Sequence, residues 1–184
     1  KQSYHEFYRL YGAKTYEKAV TPEVILTEDS NSGYQFWTKA LVGSKVISSN
    51  GNANIIKQVK NLEPGDTLVI ADGAAFGSLI ESCLSSFRAQ TNRRISLWMP
   101  ESFEYLILKS GVLRNEELIS ILNNVSQYVE SEKYESWENF FTELLITLTA
   151  DGVERYSKNV LNAYYLQEWI IEKIKGQMPK EIKL

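Results

Sequence analysis

Hydrophobic positions in this chain follow two regimes. Between residues 22 and 112, four short and nearly continuous apolar runs rich in β-branched residues, at 24–27, 45–48, 67–71 and 95–99, predict strands. Helical spacing separates them: Tyr34, Trp37, Ala40 and Leu41; then Ile55, Ile56, Val59 and Leu62; then Leu79, Ile80, Cys83, Leu84 and Phe87. Strands that are apolar throughout and alternate with helices predict a parallel sheet covered on both faces, the α/β three-layer arrangement. Beyond Leu113 the strand pattern ends. Three helical stretches follow, through Leu118, Ile121, Leu122, Val125 and Val129, then Trp137 to Leu148, then Val160 to Ile174. Ahead of the first strand, Phe7, Tyr8, Leu10, Tyr11 and Tyr16 predict one or two short helices broken near Gly12. The organisation expected is therefore a helical opening segment over 1–21, an α/β domain over 22–112, and a C-terminal helical extension over 113–184 packed on it. The last residues, from Gly176 through Pro179, are expected to fray.

Composition narrows the chemistry. With 184 residues, 43% hydrophobic and 23% charged, the chain is long enough to bury a continuous core. A net charge of −3 offers no global attraction to a polyanion. Its basic cluster, Arg88, Arg93 and Arg94, reads first as a solvated helix end or loop. One cysteine, Cys83, cannot form an intramolecular disulfide and falls on an apolar helix face; one histidine, His5, cannot build a histidine-rich metal site. The four tryptophans, Trp37, Trp98, Trp137 and Trp169, are expected in packing, with Trp98 the nearest to a base-stacking candidate because of Arg93 and Arg94. No apolar stretch is long enough to cross a bilayer, which leads to the expectation of a cytoplasmic protein without a membrane partner.

Ligands of parallel α/β sheets bind where loops leave the carboxyl ends of the strands. Three of the four exits here carry acid: Glu28 and Asp29 after the first run, Asp72 after the third, Glu101 and Glu104 after the fourth. Gathered carboxylates repel and lose solvation, so a divalent cation is the natural neutraliser, and oxygen donors favour Mg2+ or Mn2+ over zinc. The second exit, Asn50, Gly51 and Asn52, is a polar loop suited to approach a phosphate or to form an ordinary turn. Helix capping accounts for each of these polar residues singly, but not for Glu28 and Asp72 each following its strand directly.

The order strand, Glu28, a loop at Gly51, then Asp72-Gly73-Ala74-Ala75-Phe76-Gly77 resembles the Toprim domain of topoisomerases, primases and overcoming-lysogenization-defect nucleases, over roughly 22–109. The segment from Pro100 to Leu106 is similar to the acidic helix start of some nuclease-type members. The resemblance implies Glu28 as general base or metal ligand, Asp72 as the main metal ligand, and Glu101 or Glu104 as further charge. It departs from the family at two places. Ala74 stands where the second acid of the Asp-x-Asp pair falls, and Asp29 where a glycine often follows the glutamate. Two functions stay open: a Mg2+- or Mn2+-dependent phosphotransfer enzyme such as a nuclease, or a catalytically degenerate relative. The latter would bind a nucleotide, nucleic acid or protein partner, or self-associate, through its C-terminal helices.

Overall fold

The four apolar runs are the strands of one sheet in a computed structural model that describes residues 21–73, 80–129 and 136–183. The helical opening segment with His5, the stretch Ala74 to Gly77 of the Toprim resemblance, and Leu79 lie outside the described residues. The strands are β1 (Val24–Thr27), β2 (Lys45–Ser48), β3 (Gly65–Ile70) and β4 (Arg93–Trp98). All pairings are parallel, in the order β2-β1-β3-β4. Between them run α1 (Ser32–Ala40), α2 (Ile55–Asn61), preceded by a 3-10 turn at Asn52–Asn54, and α3 (Ile80–Arg88).

Period-two alternation distributes the strands' side chains between two cores. Ile25, Leu68, Ile70 and Trp98 meet Phe36, Trp37 and Leu41 of α1 on one face. Leu26, Val69, Ala71 and Leu97 meet Ile55 and Val59 of α2 and Ile80, Cys83 and Phe87 of α3 on the other. This is the expected three-layer α/β fold. The assignment of helices to faces follows from the strand order. The chain steps from β1 outward to β2, then back across β1 to β3 and on to β4, and connections of one hand place helices of opposite lateral travel on opposite faces. The reversal makes the gap between β1 and β3 the topological switch point.

The extension shares the α1 core. After β4 come α4 (Phe103–Lys109), α5 (Glu116–Asn123), α6 (Val125–Val129), α7 (Trp137–Thr149), a 3-10 turn at Ala163–Leu166, and α8 (Glu168–Lys175). Phe140, Phe141 and Leu145 of α7, with Ile170 and Ile174 of α8, are buried in the same cluster as Phe36 and Trp37. The rings of Tyr105 and Phe141 lie 4.7 Å apart, joining α4 to α7.

Several expectations are corrected. The first C-terminal helix is two, α5 and α6, because Asn124 leaves helical geometry between them. The third begins only at Glu168; Val160 is 69% exposed in an irregular stretch. The tail does not fray: Ile182 is buried and the Gln177 side-chain Nε2 donates to the Leu106 carbonyl at 2.6 Å. Trp98 is 7% exposed and packs edge-on against Trp37, so base stacking is closed to it, whereas Trp169 is 47% exposed beside Lys173. The basic cluster is partly structural. The Arg93 guanidinium donates to the Val59 and Leu62 carbonyls at the end of α2, and Arg94 pairs with Asp66. Both arginines begin β4, at the opposite end of the sheet from the strand exits. Cys83 is a core thiol, and burial pushes its pKa to about 11.

Candidate functional site

The carboxyl ends of β1 and β3 are adjacent because their registers pair Thr27 with Ile70. The ladder continues one step further, with the Glu28 amide donating to the Ile70 carbonyl at 3.0 Å. This places Glu28 and Asp72 side by side at the switch point. The Glu28 carboxylate folds across the gap and accepts the Asp72 backbone N–H at Oε2, 3.0 Å away. A small crevice opens between them, lined also by Asp29, Gly33 and Phe103. Gly33 leaves this wall close-packed: a Cβ there would sit 3.3 Å from Asp29 Oδ1 and 3.4 Å from the Phe103 Cβ, so either neighbour would have to shift slightly.

Glu104, in the first turn of α4, is buried and belongs to the same rim. Its Oε1 accepts the Tyr156 hydroxyl at 2.8 Å. Tyr156 and Lys158 reach the rim from the loop after α7, and the Lys158 ammonium pairs with Glu138 at the start of that helix. The loop is tied to α1, since the Ser32 amide donates to the Lys158 carbonyl at 2.9 Å and Gln35 bonds the backbones of Asn159 and Leu161. Glu101 follows the crevice-lining Pro100; it is buried, which lifts its carboxyl to about 7, and its charge acts on Tyr105.

The Asn50-Gly51-Asn52 loop serves as a brace. The Gly51 amide donates to the Glu28 carbonyl at 2.7 Å and the Asn50 amide to Ser48 Oγ at 3.0 Å, so these two N–H groups point inward and not toward a ligand. Positive φ at both residues, 54° and 114°, lets the chain turn tightly enough for this. Ser48, Ser49 and Thr27 hydroxyls donate to the Asp29 and Glu28 carbonyls from the same side. The backbone beneath the two acids is thus held on several bonds. Asp29 doubles as a turn former, accepting the Asn31 amide at 3.3 Å.

Electrostatically the rim is strained toward protonation. Burial lifts Glu28 from the ordinary 4.5 to about 7; the Asp72 amide opposes this, and the charges of Glu138 and Asp29 add to it. Burial also raises Asp29 and Asp72. Asp72 lies well above the carboxylate range, first through burial and then because the fields of Glu104, Glu28, Glu138 and Asp29 converge on it, although part of its surface stays open to solvent. Lys158 is raised in spite of its own desolvation by the hydrogen bond and charge of Glu138, then by Glu104 and Asp72.

A pH dependence follows. Between about 4.5 and 7 the folded, ion-free protein holds a proton on Glu28 that the unfolded chain has released. Stability then falls as pH rises through that window, since it follows the excess of protons bound by the unfolded state. Allowing for the solvent that Glu28 still sees, the loss is about 2 kcal/mol. Urea unfolding at pH 5 and pH 8 follows it, and Glu28→Gln should make the profile shallower by about that amount without abolishing it, because Asp29, Asp72 and Glu101 are raised in the same direction. A stability that climbs over this interval contradicts the assignment.

Hard oxygen donors without histidine or cysteine suit Mg2+ or Mn2+. Among the described residues, no group of three or more His, Cys, Asp or Glu side chains is arranged to hold a metal ion. Glu28 and Asp72 are two carboxyl groups at one crevice, and Mg2+ commonly takes one or two carboxylates and keeps several waters. Sequence reasoning missed Glu138, Tyr156 and Lys158, which no local signal ties to the strand exits. Fold and rim together define an α/β protein with a carboxylate-rich crevice at the switch point of a parallel sheet. No protein-family model, curated protein or solved structure matches the chain. Among the described residues, no helix is long and apolar enough to cross a membrane.

Proposed function

We propose that the protein is a Toprim-like, Mg2+- or Mn2+-dependent phosphotransfer enzyme that hydrolyses nucleic-acid phosphodiesters at the β1/β3 switch point. The observation that carries this reading is the meeting of Glu28 and Asp72 across the two strands, linked by the Asp72 amide. Glu28 and Asp72 would hold the ion, with Asp29 and Glu104 adding negative charge around it. A divalent cation bound there would polarise a phosphoryl oxygen and neutralise charge developing in the transition state. In the ion-free protein burial lifts Glu28 to about 7; a cation bound beside it would favour its charged form, able to accept a proton from attacking water. The water oxygen bonds to phosphorus, one ester P–O bond breaks, and the departing alkoxide takes up a proton. Lys158, held beside the rim by Glu138, supplies positive charge for the phosphate.

A second reading rests on the absence of a closed three-ligand group among the described residues, together with Ala74 in the sequence. It makes the chain a degenerate Toprim relative that binds nucleotide, nucleic acid or a protein partner without turnover. Supercoiled plasmid and single-stranded RNA, incubated with the protein in Mg2+, Mn2+ or EDTA, separate the two. Cation-dependent cleavage supports the enzyme. Binding without cleavage in either metal supports the degenerate relative.

A further inference from the structure

The loop that braces the β1 exit contains the chain's one Asn-Gly pair, Asn50-Gly51; every other asparagine is followed by a residue that carries a side chain. An asparagine loses its amide spontaneously when the backbone nitrogen of the next residue attacks its side-chain carbon, and a glycine in that next place hinders the approach least. Asn50 is exposed and lies between β2 and the 3-10 turn at Asn52–Asn54, outside any helix or strand. Its φ of 54° falls in the left-handed region, which asparagine tolerates better than most side chains. The attacking nitrogen would be that of Gly51, whose N–H is given to the Glu28 carbonyl at 2.7 Å. That nitrogen must shed its proton to attack, so the reaction waits until this bond opens.

The support behind that bond is slight. Ser49 Oγ lies 2.8 Å from the Glu28 carbonyl and 3.0 Å from the Gly51 carbonyl, and its single proton is shared between them. Ser48 Oγ accepts the Asn50 amide at 3.0 Å. We propose that Asn50 is a site of spontaneous deamidation, gated by opening of the hydrogen bond from Gly51 to Glu28. In the open loop the Gly51 nitrogen gives its proton to solvent and bonds to Asn50 Cγ; the Cγ–Nδ2 bond breaks and ammonia leaves, giving a succinimide. Water then opens the ring at either carbonyl. One opening leaves aspartate in place of Asn50, and the other leaves isoaspartate, whose main chain is lengthened by the side-chain methylene. Aspartate adds a negative charge to the loop that Ser48 joins to the Asp29 carbonyl, and isoaspartate shifts the Gly51 amide away from the Glu28 carbonyl. The chemistry consumes only water and needs no cation, so it stands apart from the phosphotransfer reading.

The test ages the full chain at pH 8, folded in buffer and unfolded in guanidinium chloride, and follows the conversion of Asn50 to acid and isoaspartate by peptide mass mapping with fragmentation. Both samples should convert, the folded one at least about tenfold more slowly, the factor that about 1.4 kcal/mol of local opening imposes. Ser49→Ala removes the hydroxyl behind the Glu28 and Gly51 carbonyls. It should quicken conversion of the folded protein about fivefold, the worth of one hydrogen bond of about 1 kcal/mol, and leave the unfolded rate as it is. Hydrogen exchange at the Gly51 amide should quicken by the same factor. Ser48→Ala, which removes the acceptor of the Asn50 amide, should act in the same direction. Asn50→Gln, whose amide carbon stands one bond further from the Gly51 nitrogen, should show no conversion. Equal rates in the folded and unfolded parent, or a folded rate that neither serine variant quickens, overturns the gate; the parent comparison holds even where a variant does not fold. A folded protein that keeps the Asn50 amide while the unfolded chain loses it, or an unfolded chain in which Asn50 converts no faster than Asn52 and Asn54, overturns the site.

Discussion

Asp72→Ala is expected to abolish cation-dependent cleavage, with a drop of at least about a hundredfold, the scale on which misplacing a reacting group acts. The substitution isolates the carboxylate. The bond that Glu28 receives comes from the backbone amide of residue 72, which alanine retains, so the geometry of the strand exits is preserved. Stability should move the other way. Asp72 is raised by burial and by the fields of Glu104, Glu28, Glu138 and Asp29, so removing it relieves repulsion in the ion-free protein. At pH 8 without metal the variant should melt at the parent temperature or above it, and its response to added Mg2+ should shrink, because an ion bound only by the folded state raises stability. Loss of cleavage with raised or unchanged melting is the signature of a ligand carboxylate. A variant that still cleaves at the parent rate eliminates Asp72 from the chemistry.

The second large effect concerns the joint between sheet and extension. Phe141→Ala removes a fully buried ring in contact with Tyr105 of α4 at 4.7 Å, Phe140 at 5.4 Å and Trp137 at 6.1 Å. Such truncations cost about 3–5 kcal/mol through lost burial and the cavity left behind. For a chain of this size the melting temperature should fall by about 10 °C. Because α7 and α1 share one core, the change should weaken the whole protein in one transition and not release the extension alone. A separate early transition with the sheet intact would show that the extension is an independent unit. Glu138, Tyr156 and Lys158 all belong to α7 or the loop after it, so a loosened α7 should also weaken cation binding.

Local pattern made much of the fold legible. The first two strands coincide with their apolar runs at 24–27 and 45–48. The last two begin earlier than their apolar runs, at Gly65 and Arg93, because strand pairing is made by the backbone and continues through Gly65 with Arg93 and Asp66 with Arg94. The tail and the start of the third C-terminal helix escape the local pattern for a related reason. Contacts such as Gln177 with Leu106, or Ile182 with the α1 core, join positions far apart in the chain and leave no periodic trace. The site divides the same way. Glu28 and Asp72 were visible because each directly follows a strand. Glu101 follows its apolar run only after Pro100, and its charge acts on Tyr105.

The amino-acid sequence by itself determined the alternation of strands and helices, since burial of a pleated or helical surface demands periods of 2 and 3.6. It also determined that acids would follow the strands. The tertiary structure alone decided that Glu28 and Asp72 meet, because the strand order β2-β1-β3-β4 makes neighbours of β1 and β3. It alone brought Tyr156 and Lys158 to Glu104 and Glu138, since a hydrogen bond between residues 52 apart, like that of Tyr156 to Glu104, exists only once both cores have closed.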